Sequence, residues 1–323
     1  DESDPTDGTM SLREAIALSN TPALYSTLSP AEQAKVSVFA SPPPTGTAPP
    51  VPNTIVFALT AGSTTIQPTS ALPAITAPVI INGYSQAGSS TSGPSVTECD
   101  VNNAVVRIDG ALIPTGAPVD GLAIQAPDCE VSGLIITGFS GSGVSISGDG
   151  SQGNWLWGNF LGALPDPTSG RNFYADPKTT PLGNAAAGLT ITSSNNLVGG
   201  NTPGLPNVIA NNGFDRSGSN VGGAGVVISG AGGTGNLLEG NGIFVNAAQG
   251  VMVASSNNTI GQNLTGGGNS IGGNGAQGIE ITGGANVQGN GVLGNFIGTA
   301  FGPPAGQVKK GSVRYPNQAE GVW

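Results

Sequence analysis

The chain has 323 residues, with nine Lys or Arg against nineteen Asp or Glu and no histidine, which gives a formal net charge of −10. So acidic a chain has no electrostatic footprint for nucleic acid or an anionic membrane surface, and without histidine a His-based triad and a His-ligated metal are excluded. Glycine (54) and proline (25) make up about a quarter of the residues while 37% are hydrophobic, a mixture too apolar for a disordered chain and too glycine-rich for a helical one.

The head of the chain reads as helical. Leu12, Ala15, Ile16 and Ser19 share one face at i, i+3, i+4, i+7 spacing, with Ser11 and Glu14 placed as a capping box. Ser29-Pro30-Ala31-Glu32 signals a second helix start, with Ser29 capping and Pro30 at the first helical position. A proline-rich linker from Ser41 to Pro52 ends any helix, so residues 1–52 form a cap and linker. No apolar run approaches the roughly 18 residues that span a bilayer, so no transmembrane segment is expected. With no signal segment ahead of Asp1, the chain reads as a processed secreted protein or a fragment.

From Asn53 the pattern changes to short β-branched runs punctuated by glycine. A unit Gly-aliphatic-x-aliphatic recurs at Gly121, Gly133, Gly143, Gly188, Gly225, Gly250 and Gly278, and the last three starts are separated by 25 and 28 residues. A second unit places asparagine two residues before an aliphatic, as in Asn154-Trp155-Leu156, Asn207-Val208-Ile209 and Asn295-Phe296-Ile297. That period is one turn of a solenoid whose aliphatics stack from coil to coil while glycine or asparagine supplies positive φ at corners. From Asn154 to Asn295 there are 22 asparagines, and their amides at equivalent corners are expected to stack in ladders.

Thr9-Met10-Ser11-Leu12-Arg13-Glu14-Ala15-Ile16 resembles the CSLREA-type segment of bacterial surface proteins, with Met10 where that motif has cysteine. Asp120-Gly121-Leu122, Val131-x-Gly133-Leu134 and Asn295-Phe296-Ile297-Gly298-Thr299 resemble the right-handed parallel β-helix proteins that carry it. The resemblance implies an all-β fold, a right-handed parallel β-helix over residues 53–323 behind a small helical cap. It implies an extracellular or cell-surface setting but no particular activity, since this fold carries both inert scaffolds and polysaccharide-degrading enzymes. Roughly ten coils are expected from a period near 25, with loops thrown out at 162–187 and 298–320. Gly321-Val322-Trp323 reads as the start of a further coil, so the chain is expected to continue beyond Trp323.

Three constellations carry chemistry. Cys99 and Cys129 read as a single disulfide, with two buried thiols as the alternative; pairing them gathers Glu98, Asp100, Asp128 and Glu130 into an oxygen-ligated Ca²⁺ site, the only cofactor the sequence suggests. Trp155 and Trp157 alternate with Leu156 and, with Phe160, Arg171 and Tyr174 nearby, offer a stacking platform for carbohydrate or for a protein partner. Glycosidase or lyase chemistry needs paired carboxylates, whereas Asp149, Asp166, Asp176 and Asp215 are scattered among glycines. A structural scaffold that self-associates or contacts other surface proteins is therefore expected, with polysaccharide binding or cleavage as the alternative and no catalytic residues assigned.

Overall fold

The computed structural model describes residues 7–36, 52–91, 103–165, 182–298 except 203, and 316–323. It is mostly β, built from three all-parallel sheets with few helices. The first sheet stacks Asn53–Val56, Val79–Asn82, Glu130–Ser132, Trp155–Trp157, Leu197–Gly199, Leu237–Glu239, Thr259–Ile260 and Gly291–Val292 in that order. The second stacks Thr65–Ile66, Val106–Asp109, Leu134–Thr137, Phe160–Leu161, Val208–Ala210, Gly242–Phe244, Ser270–Gly272 and Phe296–Ile297. The third runs from Leu122–Ile124 through Val144–Ile146, Leu189–Ile191, Val226–Ile228 and Val251–Val253 to Ile279–Ile281. Parallel bridges from Ile75 to Ile124 and from Val322 to Ile279 extend it at both ends. The chain thus visits the three sheets in rotation, eight times among the described residues. Eight rounds replace the roughly ten expected from a uniform period, because several rounds carry inserted loops: Ile80 pairs with Glu130, and Trp155 with Leu197.

Strand alternation puts every second side chain inward, and in-register pairing stacks like on like. In the second sheet one column reads Ile66, Ile108, Ile136, Leu161, Ile209, Ile243, Ile271, Ile297. In the first it reads Ile55, Ile81, Val131, Leu156, Val198, Leu238, Ile260, Val292. Together with the aliphatics of the third sheet these columns form one continuous core. Each fully buried side chain contributes about 2 kcal/mol of transfer free energy.

The helical head closes one end of this core. Helix α1, Leu12–Asn20, carries the expected Ser11–Glu14 capping box and buries Leu12 and Ile16 in the core. Arg13 donates to the Ala71 and Ser70 carbonyls, and Asn20 bonds Ala74 and Thr76, fixing α1 to the first round. Helix α2, Pro30–Gln33, repeats the capping box with Ser29 and Glu32.

Asparagine ladders mark the three corners. Between the third and first sheets Asn154, Asn196, Asn236 and Asn258 are joined side chain to side chain, and Asn258 continues to Asn290 through its backbone N–H. Between the first and second sheets run Asn159, Asn207, Asn241, Asn269 and Asn295. Between the second and third run Asn184, Asn212, Asn246, Asn274 and Asn317. In each rung the Oδ1 accepts from the preceding round, commonly from both Nδ2 and backbone N–H at 2.9–3.3 Å. Asn184 and Asn317 lie in the expected loop insertions at 162–187 and 298–320, yet both are rungs of one ladder; residues 166–181 and 299–315 are outside the described set.

Glycine or asparagine supplies positive φ at the corners, as expected, and does so one residue before ladder members: Asn195, Asn211 and Asn257 at 58°, 59° and 60°, and Gly153, Gly158, Gly235 and Gly240 at 66–73°. The glycines of the Gly-aliphatic-x-aliphatic unit answer mainly to crowding instead. Gly225 is outside the left-handed region, but a Cβ there would lie 2.6 Å from the Gly250 carbonyl oxygen and 2.7 Å from the Asn246 amide nitrogen.

Candidate functional site

Leu156 sits in the core column, so Trp155 and Trp157 project together from the outer face of the first sheet, both half-buried. Their polar atoms are engaged by the protein itself: Trp155 Nε1 donates to the Gly199 carbonyl and Trp157 Nε1 to Glu130 Oε1, each at 2.9 Å. Tyr84 stacks on Trp157 with centroids 5.2 Å apart and planes at 22°, and its hydroxyl donates to the Gly158 carbonyl at 2.8 Å. Trp155 and Trp157 are tilted by 37° at 5.6 Å, not coplanar. Burial pushes the Tyr84 phenol well above the usual tyrosine range. Tyr84 lies 73 residues ahead of Trp157 in the chain, and only the stacking of rounds brings it there. Its sole local signal is glycine at 133 and 158, where a Cβ would strike the Tyr84 ring or hydroxyl.

Phe160 does not join this cluster, which corrects its expected contact role. It is fully buried with Ile135, Val208, Ala210 and Phe244 in a second apolar cluster beside the second sheet, and presents no ring face to a ligand. Arg171 and Tyr174 lie outside the described residues.

Among the acids expected to gather a cation, Glu130 is engaged by Trp157, Asp128 occupies a corner with φ 53°, and Glu98 and Asp100 lie outside the described residues. Among the described residues, no group of three or more acidic or cysteine side chains is placed to hold a metal ion. Cys129 is a free, buried thiol, and Cys99, its expected partner, is again outside the described set. Its backbone N–H donates to Asn154 Oδ1 at 2.8 Å, and its Sγ lies 3.6–3.9 Å from the Pro127, Ala77 and Ala126 carbonyls. Burial pushes the thiol up to about 11, opposed by a hydrogen bond from the Val79 backbone and reinforced by Asp128.

The four cations among the described residues are committed to the protein's own acceptors. Arg13, Lys35 and Arg216 donate to backbone carbonyls, and Arg107 pairs with Asp109 at 3.1 Å. Asp215 is held below the usual carboxylate range by hydrogen bonds from Ser217 and Ser219. Glu239, to which the sequence drew no attention, is 7% exposed on the outer face of the first sheet, with Oε2 buried and unpartnered. Desolvation raises its pKa. A shallow cavity of about 140 Å³ between α1 and the Asn53–Val56 strand is lined by Met10, Leu18, Lys35 and Val56. It holds no carboxylate pair.

Among the described residues no helix is long and apolar enough to cross a membrane. Comparison with protein-family models and with curated proteins finds no match for this chain.

Proposed function

We propose that the three sheets are the faces of one right-handed parallel β-helix of the CSLREA type, serving outside the cell or on its surface as a rigid structural element. The observation that carries this reading is the unbroken stacking of aliphatic columns and asparagine ladders through successive rounds. From Asn154 onward, shape is thereby determined at the corners by buried hydrogen bonds, and a solenoid built from such nearest-neighbour contacts is stiff along its axis. The Thr9–Ile16 segment that resembles the family motif leads into α1, laid over one end of the stack.

A polysaccharide-binding surface is the second reading, resting on the Trp155–Trp157 pair. Against it, Tyr84 covers Trp157, both indole N–H groups are used internally, and the two rings are not coplanar. Such a cluster packs a sheet face instead of presenting a platform.

Electron microscopy of the native material, with particle mass measured on the same sample, tests the structural role. Rods, filaments or sheets of constant width are expected. Compact dispersed particles that bind a glycan array, and lose that binding in Trp155→Ala and Trp157→Ala variants that stay folded, would replace it with the polysaccharide reading.

A further inference from the structure

Two loops leave the corner between the first and second sheets and meet over the round that lies between them. One follows Leu197–Gly199 and the other follows Thr259–Ile260, whereas Leu237–Glu239 passes straight to Gly242–Phe244 through Gly240 and Asn241. A Cβ at Gly240 would lie 2.1 Å from the Gly200 carbonyl oxygen and 2.9 Å from that of Gly266, and one at Gly266 would lie 2.4 Å from the Asn201 carbonyl oxygen. The Gly200 and Gly266 oxygens thus converge on one point from opposite rounds. Neither accepts a hydrogen bond from a described residue.

Glu239 stands beside that point. It precedes Gly240 in the chain, its register partner is Gly199, and Leu238 pairs with Ile260, so it lies between the starts of the two loops. Gly199 and Gly261, on either side of it, carry no side chain to meet it. The residue is 7% exposed, and its Oε2 is buried without a partner. The cations among the described residues are held elsewhere, at Arg13, Lys35, Arg107 and Arg216. A buried carboxylate that meets neither a donor nor a cation is costly, and converging carbonyl dipoles repel one another. A single positive charge placed among them relieves both.

We infer that the space beneath these loops is a cation site, in which the Glu239 carboxylate and the Gly200 and Gly266 carbonyl oxygens hold a hard cation of calcium's size. Calcium accepts carboxylate, carbonyl and water oxygens in flexible geometry, whereas magnesium demands a tight octahedron. One carboxylate places the affinity in the weak range, at a dissociation constant of about 1 mM. In the full chain near pH 7, freed of metal and kept in a tetramethylammonium salt, calcium chloride is expected to raise Tm saturably. The rise is about 2 °C at ten times the half-saturating concentration. Glu239→Gln is expected to abolish it, Glu239→Asp to shift it to higher calcium, and Glu280→Gln, on the third sheet, to leave it intact. Sodium chloride at matched ionic strength identifies the ion: an equal rise that also needs Glu239 assigns the site to the monovalent cation of that size. Equal responses of the parent and Glu239→Gln, or no response of the parent to either salt, would overturn the site.

Discussion

Cys129 stands in the place of a ladder asparagine: its backbone N–H donates to Asn154 Oδ1 at 2.8 Å, as the Asn154 N–H donates to Asn196 Oδ1 at 3.0 Å. The residue before it, Asp128, has φ 53°, matching Asn195 at 58° and Asn257 at 60° ahead of the next rungs. The thiol thus ends the ladder towards the first rounds, with Val79 as its neighbour.

Cys129→Asn is therefore expected to lengthen the ladder. Asn154 Nδ2 donates to the Ser151 carbonyl three residues back, and Ala126 offers the corresponding acceptor near Cys129. A gain of about 1 kcal/mol is expected from the added bonds, while Cys129→Leu, which abandons the Val79 N–H, should lose at least as much. Urea unfolding midpoints of the two variants decide it.

Asn241→Ala removes an interior rung. Its amide serves Asn269, Val198 and Glu239, and its Oδ1 accepts from both nitrogens of Asn207. The partners are buried, so a loss of about 3 kcal/mol or more is expected, against well under half of that for Asn295→Ala, whose side chain is only half-buried. Equal losses at the two sites would contradict a ladder that depends on burial.

Glu239 makes stability depend on pH. Burial raises its folded pKa above the ordinary 4.5, so the folded state holds the proton more tightly than the unfolded chain. The contribution is fully present below about 4.5 and is lost as pH rises through the folded value. Glu239→Gln should therefore match the parent near pH 4 and exceed it near pH 7, as read from denaturation at the two pH values. Parallel pH profiles would show that the carboxyl ionises without penalty.

Val245 is a β-branched residue at φ 47°, one position before the ladder member Asn246, where Asn211 and Gly273 stand in neighbouring rounds. Val245→Asn relieves backbone strain that a β-branched residue bears there and is expected to stabilise the chain by about 1 kcal/mol, measured as a rise in Tm.

Much of the architecture was legible in the residues. The Ser11–Glu14 and Ser29–Glu32 boxes marked both helix starts. Short aliphatic runs after glycine marked strands, and alternation put Trp155 and Trp157 on one side of the strand opposite Leu156, which the structure buries. These features are set by spacings of two to four residues, over which the backbone geometry is nearly fixed. The site was less legible. Tyr84 meets Trp157, Glu239 is buried, and Phe160 faces away into a second cluster, each by virtue of which round lies beside which.

By itself, then, the sequence determined the kind of unit: a short strand, a corner of glycine or asparagine, and another strand. The tertiary structure decided the division of labour within that unit. Asn195 takes the left-handed backbone while Asn196 stacks, and Gly225 is glycine because Gly250 and Asn246 approach it from the next round. Both distinctions depend on contacts between residues 21 or more positions apart. Neighbouring rounds meet at separations set by loops of unequal length, and a local pattern carries no record of that distance.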